Sequence, residues 1–310
     1  MRLIHRVALL AAVGLLSAPV VPIGSGALGE RAPAGTIVFA SKRTGSGDLY
    51  AVNAAGGPLR RLTEETAEEA DPAWAPDGRR IVFDVIGPLT HRVPRSVDVT
   101  IIRRDGSGAV RIARASTAGQ PSWSPDGQQI VFATFDGEGG RSSIHIAAAD
   151  GSNDTSITGG LGVALDPAWA PRGDLIAFQT MRPSTDGSRI AFVRSNGAGL
   201  RLLAHGNGWR DTSPAWSPDG RRVAFGAGRG SSDGYLFTAD RAARNVVNLT
   251  SRLGFKGYDP AWSPDGRFLA FACRRGNHLR ICIGDLGSGR VRQLTFGATQ
   301  GSDRQPTWHR

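Results

Sequence analysis

Six tryptophans at near-constant spacing, a Pro-Asp-Gly type of turn after five of them, and two chain ends that complete each other predict the fold class. It is all-β: a six-bladed β-propeller with four-stranded blades, the ring closed by the C-terminal strand completing the N-terminal blade. The Trp residues stand at 74, 123, 169, 216, 262 and 308, at intervals of 49, 46, 47, 46 and 46 residues. Each has a Pro two positions earlier, and the first five have a Phe nine positions later: Phe83, Phe132, Phe178, Phe225 and Phe271.

The elements of one repeat follow in order. A first strand ends at the Trp. The turn comes next, as in Ala75-Pro76-Asp77-Gly78, Ser124-Pro125-Asp126-Gly127, Ala170-Pro171-Arg172-Gly173, Ser217-Pro218-Asp219-Gly220 and Ser263-Pro264-Asp265-Gly266. Pro fixes φ at the second turn position and Gly accepts a positive φ at the fourth. A second strand carries the Phe, as in Ile81-Val82-Phe83. A third strand follows, as in Asp48-Leu49-Tyr50-Ala51-Val52, then a turn such as Asp105-Gly106, Asp150-Gly151 or Asn196-Gly197. The fourth strand ends in Leu-Thr at 62–63, 249–250 and 294–295. The ends supply the closure. Ile37-Val38-Phe39 matches a second strand that has no Trp strand before it, and Trp308 matches a first strand with no successor. Pairing the two gives six Trp, six Phe and six blades, and removes a sheet edge.

These residues resemble the TolB-type propeller repeat, a relative of the WD-type repeats. The motif here is Pro-Ala-Trp-Ser-Pro-Asp-Gly, then an Ile-Ala-Phe-like strand and a Leu-Thr ending, and it covers residues 35–310. The resemblance implies a propeller with a binding face. TolB itself carries an α/β domain ahead of its propeller, for which residues 1–34 leave no room, so the Tol-Pal role is not expected to carry over. Prolyl oligopeptidases also hold propellers but add a hydrolase domain.

Composition agrees with a folded all-β chain: 310 residues, 40% hydrophobic, with 42 Gly and 18 Pro. Arg2, His5 and Arg6 precede an apolar run over 7–16, too short to span a bilayer, and Ser25-Gly26-Ala27 offers small residues for cleavage. The expected division is a signal peptide over 1–27, a linker over 28–34 and the propeller over 35–310. The expected location is exported: periplasmic, cell-envelope or extracellular, with no membrane span after cleavage. The formal charge is +10, and the two Arg within 1–27 account for two of it, leaving +8. The cations are scattered rather than blocked, which argues against a nucleic-acid partner. The expected partner is a protein or an anionic envelope polymer, bound by a monomeric propeller. Cys273 and Cys282 flank a short loop between two strands, and a local disulfide or two reduced packing residues both fit.

The repeated Trp, Phe, Pro, Asp and Gly of the turns and core carry structure, so candidate chemistry lies at positions that vary between blades. Loops joining second to third strands and blade to blade share one face. Arg43, Arg92, Arg141, Arg182, Arg229 and Arg274 fall there and suit an anionic ligand, or simply a solvated surface. Trp209 and Tyr258 lie in blade-to-blade segments and could anchor a partner, or pack locally. Three residues before each repeated Trp stand Asp71, Gln120, Asp166, Ser213, Asp259 and Gln305. Asp71, Asp166 and Asp259 alternate around the ring and could hold a divalent cation at the channel mouth, or cap loop backbone. No other cofactor is expected. His91, His205 and His278 fall on loops of the same end but lack zinc-site spacing. The expected function is a non-catalytic exported propeller binding a protein or envelope polymer through its loop-rich face. The alternative is a propeller enzyme acting on a carbohydrate or related polymer.

Overall fold

The computed structural model describes residues 32–310 apart from 65, 88, 91, 92, 95, 116, 117, 136–140, 182–186, 207, 230–233 and 298–300. Six four-stranded antiparallel sheets form the blades of a ring. Blade 1 runs Asp303–His309, Thr36–Ser41, Asp48–Asn53, Arg60–Arg61 from the inside outward. Blade 2 runs Glu68–Trp74, Arg80–Ile86, Val97–Arg103, Val110–Ala115, and blade 3 runs Ala118–Trp123, Gln129–Phe135, Ser142–Ala148, Thr155–Ser156. Blade 4 is Val163–Trp169, Leu175–Met181, Ser188–Arg194, Arg201–Leu202, and blade 5 is Arg210–Trp216, Arg222–Gly228, Tyr235–Asp240, Val247–Asn248. Blade 6 is Gly257–Trp262, Phe268–Arg275, His278–Asp285, Val291–Gln293.

Turn chemistry shapes the hairpins as the residue types require. Gly78, Gly127, Gly220 and Gly266 donate to the carbonyl three residues back at 2.8–3.0 Å, with φ between 64° and 70°. Asp126, Asp219 and Asp265 accept from the Ser two positions earlier and from a backbone N–H two positions later. They are turn residues, each with one carboxylate oxygen bound twice within its own loop.

Packing explains why Trp and Phe recur. Phe39, Phe83, Phe132, Phe178, Phe225 and Phe271 are buried in the sheet interfaces. Each Trp packs onto the blade before its own. Trp123 joins Ala75, Val82 and Val99 of blade 2, and Trp216 joins Ala170, Ile190 and Phe192 of blade 4. Trp123, Trp216 and Trp262 also donate their indole N–H to the residue preceding the neighbouring Trp, at 3.0–3.2 Å. In these three, large aromatic area is buried between sheets while its one polar atom finds a partner; the indole nitrogens of Trp74 and Trp169 are buried without one among the described residues.

Closure follows the pairing of the chain ends. Thr36↔His309, Ile37↔Trp308 and Val38↔Thr307 lie opposite one another, and Trp308 packs on Ala261 and Phe268 of blade 6. Side chains reinforce this seam. Asp303, wholly buried, accepts from Ser41 Oγ at 2.6 Å, Thr295 Oγ1 at 2.6 Å and Arg43 Nη2 at 2.8 Å.

Candidate functional site

Antiparallel order places the second-to-third loops and the blade-to-blade connections at one end, and the Pro-Asp-Gly turns at the other. The loop-rich end opens on the central channel. There the first strand of every blade has an irregularity: Asp71, Gln120, Asp166, Ser213, Asp259 and Gln305 all adopt the left-handed conformation, with φ between 49° and 59°. The register shifts at each of these points, as between Ala70 and Ala73 opposite the second strand of blade 2. The kink turns these six side chains toward the channel. With the six following Pro residues they line a cavity of about 120 Å³. The indoles and prolines beyond them line a wider funnel of about 570 Å³ toward the opposite end.

These six positions are linked blade to blade. Gln305 Oε1 accepts from Asp71 N at 3.2 Å, Gln120 Oε1 from Asp166 N at 2.8 Å, and Asp166 Oδ2 from Ser213 N at 3.0 Å. Ser213 Oγ donates to Asp259 Oδ1 at 3.2 Å, and Asp259 Oδ2 accepts from Gln305 N at 3.3 Å. At the step from blade 2 to blade 3 the acceptor is instead Asp84 Oδ2, on the second strand, 2.6 Å from Gln120 N.

Electrostatics at the mouth are those of crowded acids. Burial pushes Asp166 up to about 6, with the Asp259 charge adding and the Ser213 N–H opposing. Burial raises Asp259 too, opposed chiefly by the charge of Arg304. Asp71 is held well above the ordinary carboxylate range by burial and by repulsion from Asp166 and Asp259. Asp84 is held there by burial and by Asp71. The expected carboxylates Asp71, Asp166 and Asp259 therefore line one mouth, and two of them cap backbone of the next blade. Among the described residues, no three His, Cys, Asp or Glu side chains converge closely enough to share a metal ion.

The rim residues separate into two groups. Arg43 is a tie within the fold: its side chain is 13% exposed, bound to Asp303 and Ser41, with its guanidinium 5.0 Å over Tyr50. Trp209 packs locally rather than standing open. It stacks on His205 at 4.9 Å, meets Tyr235 and Phe237 edge-on, and carries the Arg229 guanidinium at 4.5 Å. His205 beneath it lies 2.6 Å from the buried Asp211. The Tyr258 ring lies against the backbone of Gly234, where an added Cβ would meet it at 2.5 Å. Arg141, Arg229 and Arg274 are exposed. Arg92, Arg182 and His91 lie outside the described residues. The Sγ atoms of Cys273 and Cys282 meet as a disulfide between adjacent strands of blade 6, Cα–Cα 5.8 Å.

Sequence reasoning passed over three apolar side chains at this end. Phe135 and Met181 close the second strands of blades 3 and 4, and Phe296 lies in the connection from blade 6 to blade 1; all three are exposed, Phe296 by 63%. Their signal was weak, because Phe135 and Met181 end strands whose apolar pattern reads as core and Phe296 directly follows a Leu-Thr ending.

Residues 93–256, more than half the chain, match the sequence family described as the TolB beta propeller domain. The chain belongs to that family. Solved structures agree on the fold. TolB from Acinetobacter baumannii superposes with a TM-score of 0.73 at 19% identity, over 88% of this chain and 66% of that one. The present chain thus spans just under two thirds of that relative. Hydrazine synthase from Kuenenia stuttgartiensis gives a TM-score of 0.71 at 15% identity, over 89% of this chain and 47% of that one. An oligogalacturonate lyase in complex with manganese gives 0.58 at 13% identity, over 84% and 74%. At these identities the likeness is one of fold. Function in a TolB propeller has to be argued from its own site. No helix among the described residues is long and apolar enough to cross a membrane.

Proposed function

We propose that this TolB-family propeller is exported and binds, without catalysis, a protein or an anionic polymer of the cell envelope through its loop-rich end. One observation carries the reading: cations and apolar groups stand exposed together at that end. Arg141, Arg229 and Arg274 come from blades 3, 5 and 6, and Phe135, Met181 and Phe296 from blades 3 and 4 and the seam. Arg pairs with carboxylate or phosphate, and the apolar groups supply contact area that gains from leaving water. The repeat requires neither set for its turns or core. Export rests on the basic and apolar segment within residues 1–27.

The test is capture of a partner from an envelope extract by the mature protein, repeated with folded variants. Arg141→Ala/Arg274→Ala and Phe296→Ala should each retain several-fold less of the same partner. The Arg pair should also remove most of the salt sensitivity. Gln128→Ala, at the turn end, should retain it in full. Undiminished capture by the first two variants, with loss in the third, overturns the assignment of the face.

A further inference from the structure

The channel mouth holds one carboxylate that the fold does not use. At four steps around the ring an acceptor in one blade caps a backbone N–H in the next, and from blade 5 to blade 6 Ser213 Oγ donates to Asp259 instead; at the step from blade 2 to blade 3 Asp84 takes over the capping role. Asp71 is left with a backbone N–H bound by Gln305 and a carboxylate that receives no hydrogen bond among the described residues. Asp84, on the second strand opposite Ala70, is 3% exposed, and its second oxygen, Oδ1, has no partner among the described residues. Burying polar atoms without partners is costly, and two neighbouring carboxylates repel each other as well. The arrangement is satisfied by a cation with N–H donors.

We propose that the mouth receives a primary ammonium group, from a lysine side chain or an amino terminus of a bound protein, seated on Asp71 and Asp84 Oδ1. This rests on reading the loop-rich end as the partner-binding face, and it assigns that face a negative centre inside a basic rim.

Two features favour an ammonium over a hard divalent ion. Such an ion takes six to eight oxygens, and no three acidic or His side chains among the described residues converge to begin that shell. An ammonium needs about three acceptors and one counter-charge. The cavity of about 120 Å³ has the scale of a side-chain tip, and Pro72, Pro121 and Pro306 on its wall suit a methylene stem.

The experiment uses the mature protein alone, with thermal unfolding followed at constant ionic strength. Propylammonium chloride should give a saturable rise in Tm, about 2–4 °C at ten times its Kd. Tetramethylammonium chloride, equally charged but without N–H, should give none. Asp71→Asn should abolish the rise. If that variant folds poorly, Asp71→Ser, the residue type blade 5 uses, serves instead. Nα-acetyl-lysinamide and Nε-acetyl-lysinamide then compare a side-chain with an α-ammonium, and whichever raises Tm at lower concentration names the source. No rise, an equal rise with tetramethylammonium, or a rise that survives Asp71→Asn overturns the proposal. So does calcium that raises Tm and blocks the ammonium response, which would make the site metallic. Because no partner is present, this test can fail while capture through Arg141 and Arg274 succeeds, and the reverse.

Discussion

A side chain held at φ near +50° normally costs about 1–2 kcal/mol relative to an extended one. The propeller accepts that six times at the same ring position. Asp is among the residue types that tolerate the left-handed region best, and Asn is another. The kink converts a strand residue into a cap for the neighbouring blade, and the acids used for it are then crowded. Asp166 is raised to about 6 against an ordinary value near 4. A raised carboxyl favours the fold while protonated. Its contribution is whole below about pH 4 and is lost as pH rises through about 6. Asp166→Asn keeps an acceptor for Ser213 N, keeps the φ preference and removes the charge. With a chelator present, the variant should match the original protein near pH 4 and exceed it by about 1–2 kcal/mol at pH 7.5, after discounting for water in the channel. Denaturant unfolding across that pH range checks it, and a gap independent of pH would show that charge is not the cause. The sequence already placed these six residues at the mouth, because their offset from Trp is fixed. It did not disclose Asp84, which enters from another strand in one blade only, nor the partner of Arg43, which lies 260 residues away.

At the scale of the strand, the Leu-Thr ending has a physical basis that the motif alone does not state. Thr63, Thr158, Thr250 and Thr295 each offer Oγ1 to the backbone N–H of a third-strand residue: Leu49, Ile144, Leu236 and Ile281, at 2.7–3.0 Å. The hydroxyl replaces a backbone carbonyl as acceptor, so the outer strand can end and the chain can turn inward to the next blade. Where Ala113 stands in blade 2, the outer strand continues by backbone pairing to Val97↔Ala115. Thr158→Val, close in shape, should strand the N–H of the wholly buried Ile144 and cost about 1–3 kcal/mol. Thr155→Val, on an exposed outer strand, should cost little. Equal effects of the two changes in urea unfolding would contradict the capping role. Strands two and three were legible because they are long, apolar and tied to Trp by spacing. The outer strands of blades 1, 3, 4 and 5 are only two residues each, too short for any period to register. The packing of Trp209 was hidden for a related reason: its cover is a histidine four residues earlier and two rings from the third strand of blade 5.

For the molecule as a whole, the seam in blade 1 decides whether the ring is one cooperative body. The strand Asp303–His309 contributes the backbone pairing to Thr36–Ser41, the Trp308 contacts on blade 6 and the buried Asp303 hub that binds Ser41, Arg43 and Thr295. Losing the Trp side chain alone from such a site costs about 3–5 kcal/mol. Removing residues 303–310 would add an exposed strand edge and leave Arg43 and Thr295 without their shared acceptor. The sum is comparable with the whole stability of a typical domain. The truncated chain should therefore aggregate or lose its cooperative transition. Connectivity itself should matter much less. His309 lies opposite Thr36, so a short Pro-Asp-Gly linker joining the two ends would give blade 1 the same first hairpin as blade 2. A permutant joined in this way and opened at the exposed turn after Trp169 keeps the strand pairing, the Trp308 packing and the Asp303 hub, and gives up only the Trp308 indole bond to Ala34 O among these seam contacts. It should unfold in one transition, within a few degrees of the original Tm, as a monomer on gel filtration. A truncation with unchanged Tm would remove closure from the account of stability. A permutant that fails where Trp308→Ala folds would mean that the order of synthesis, rather than the seam, holds the ring together.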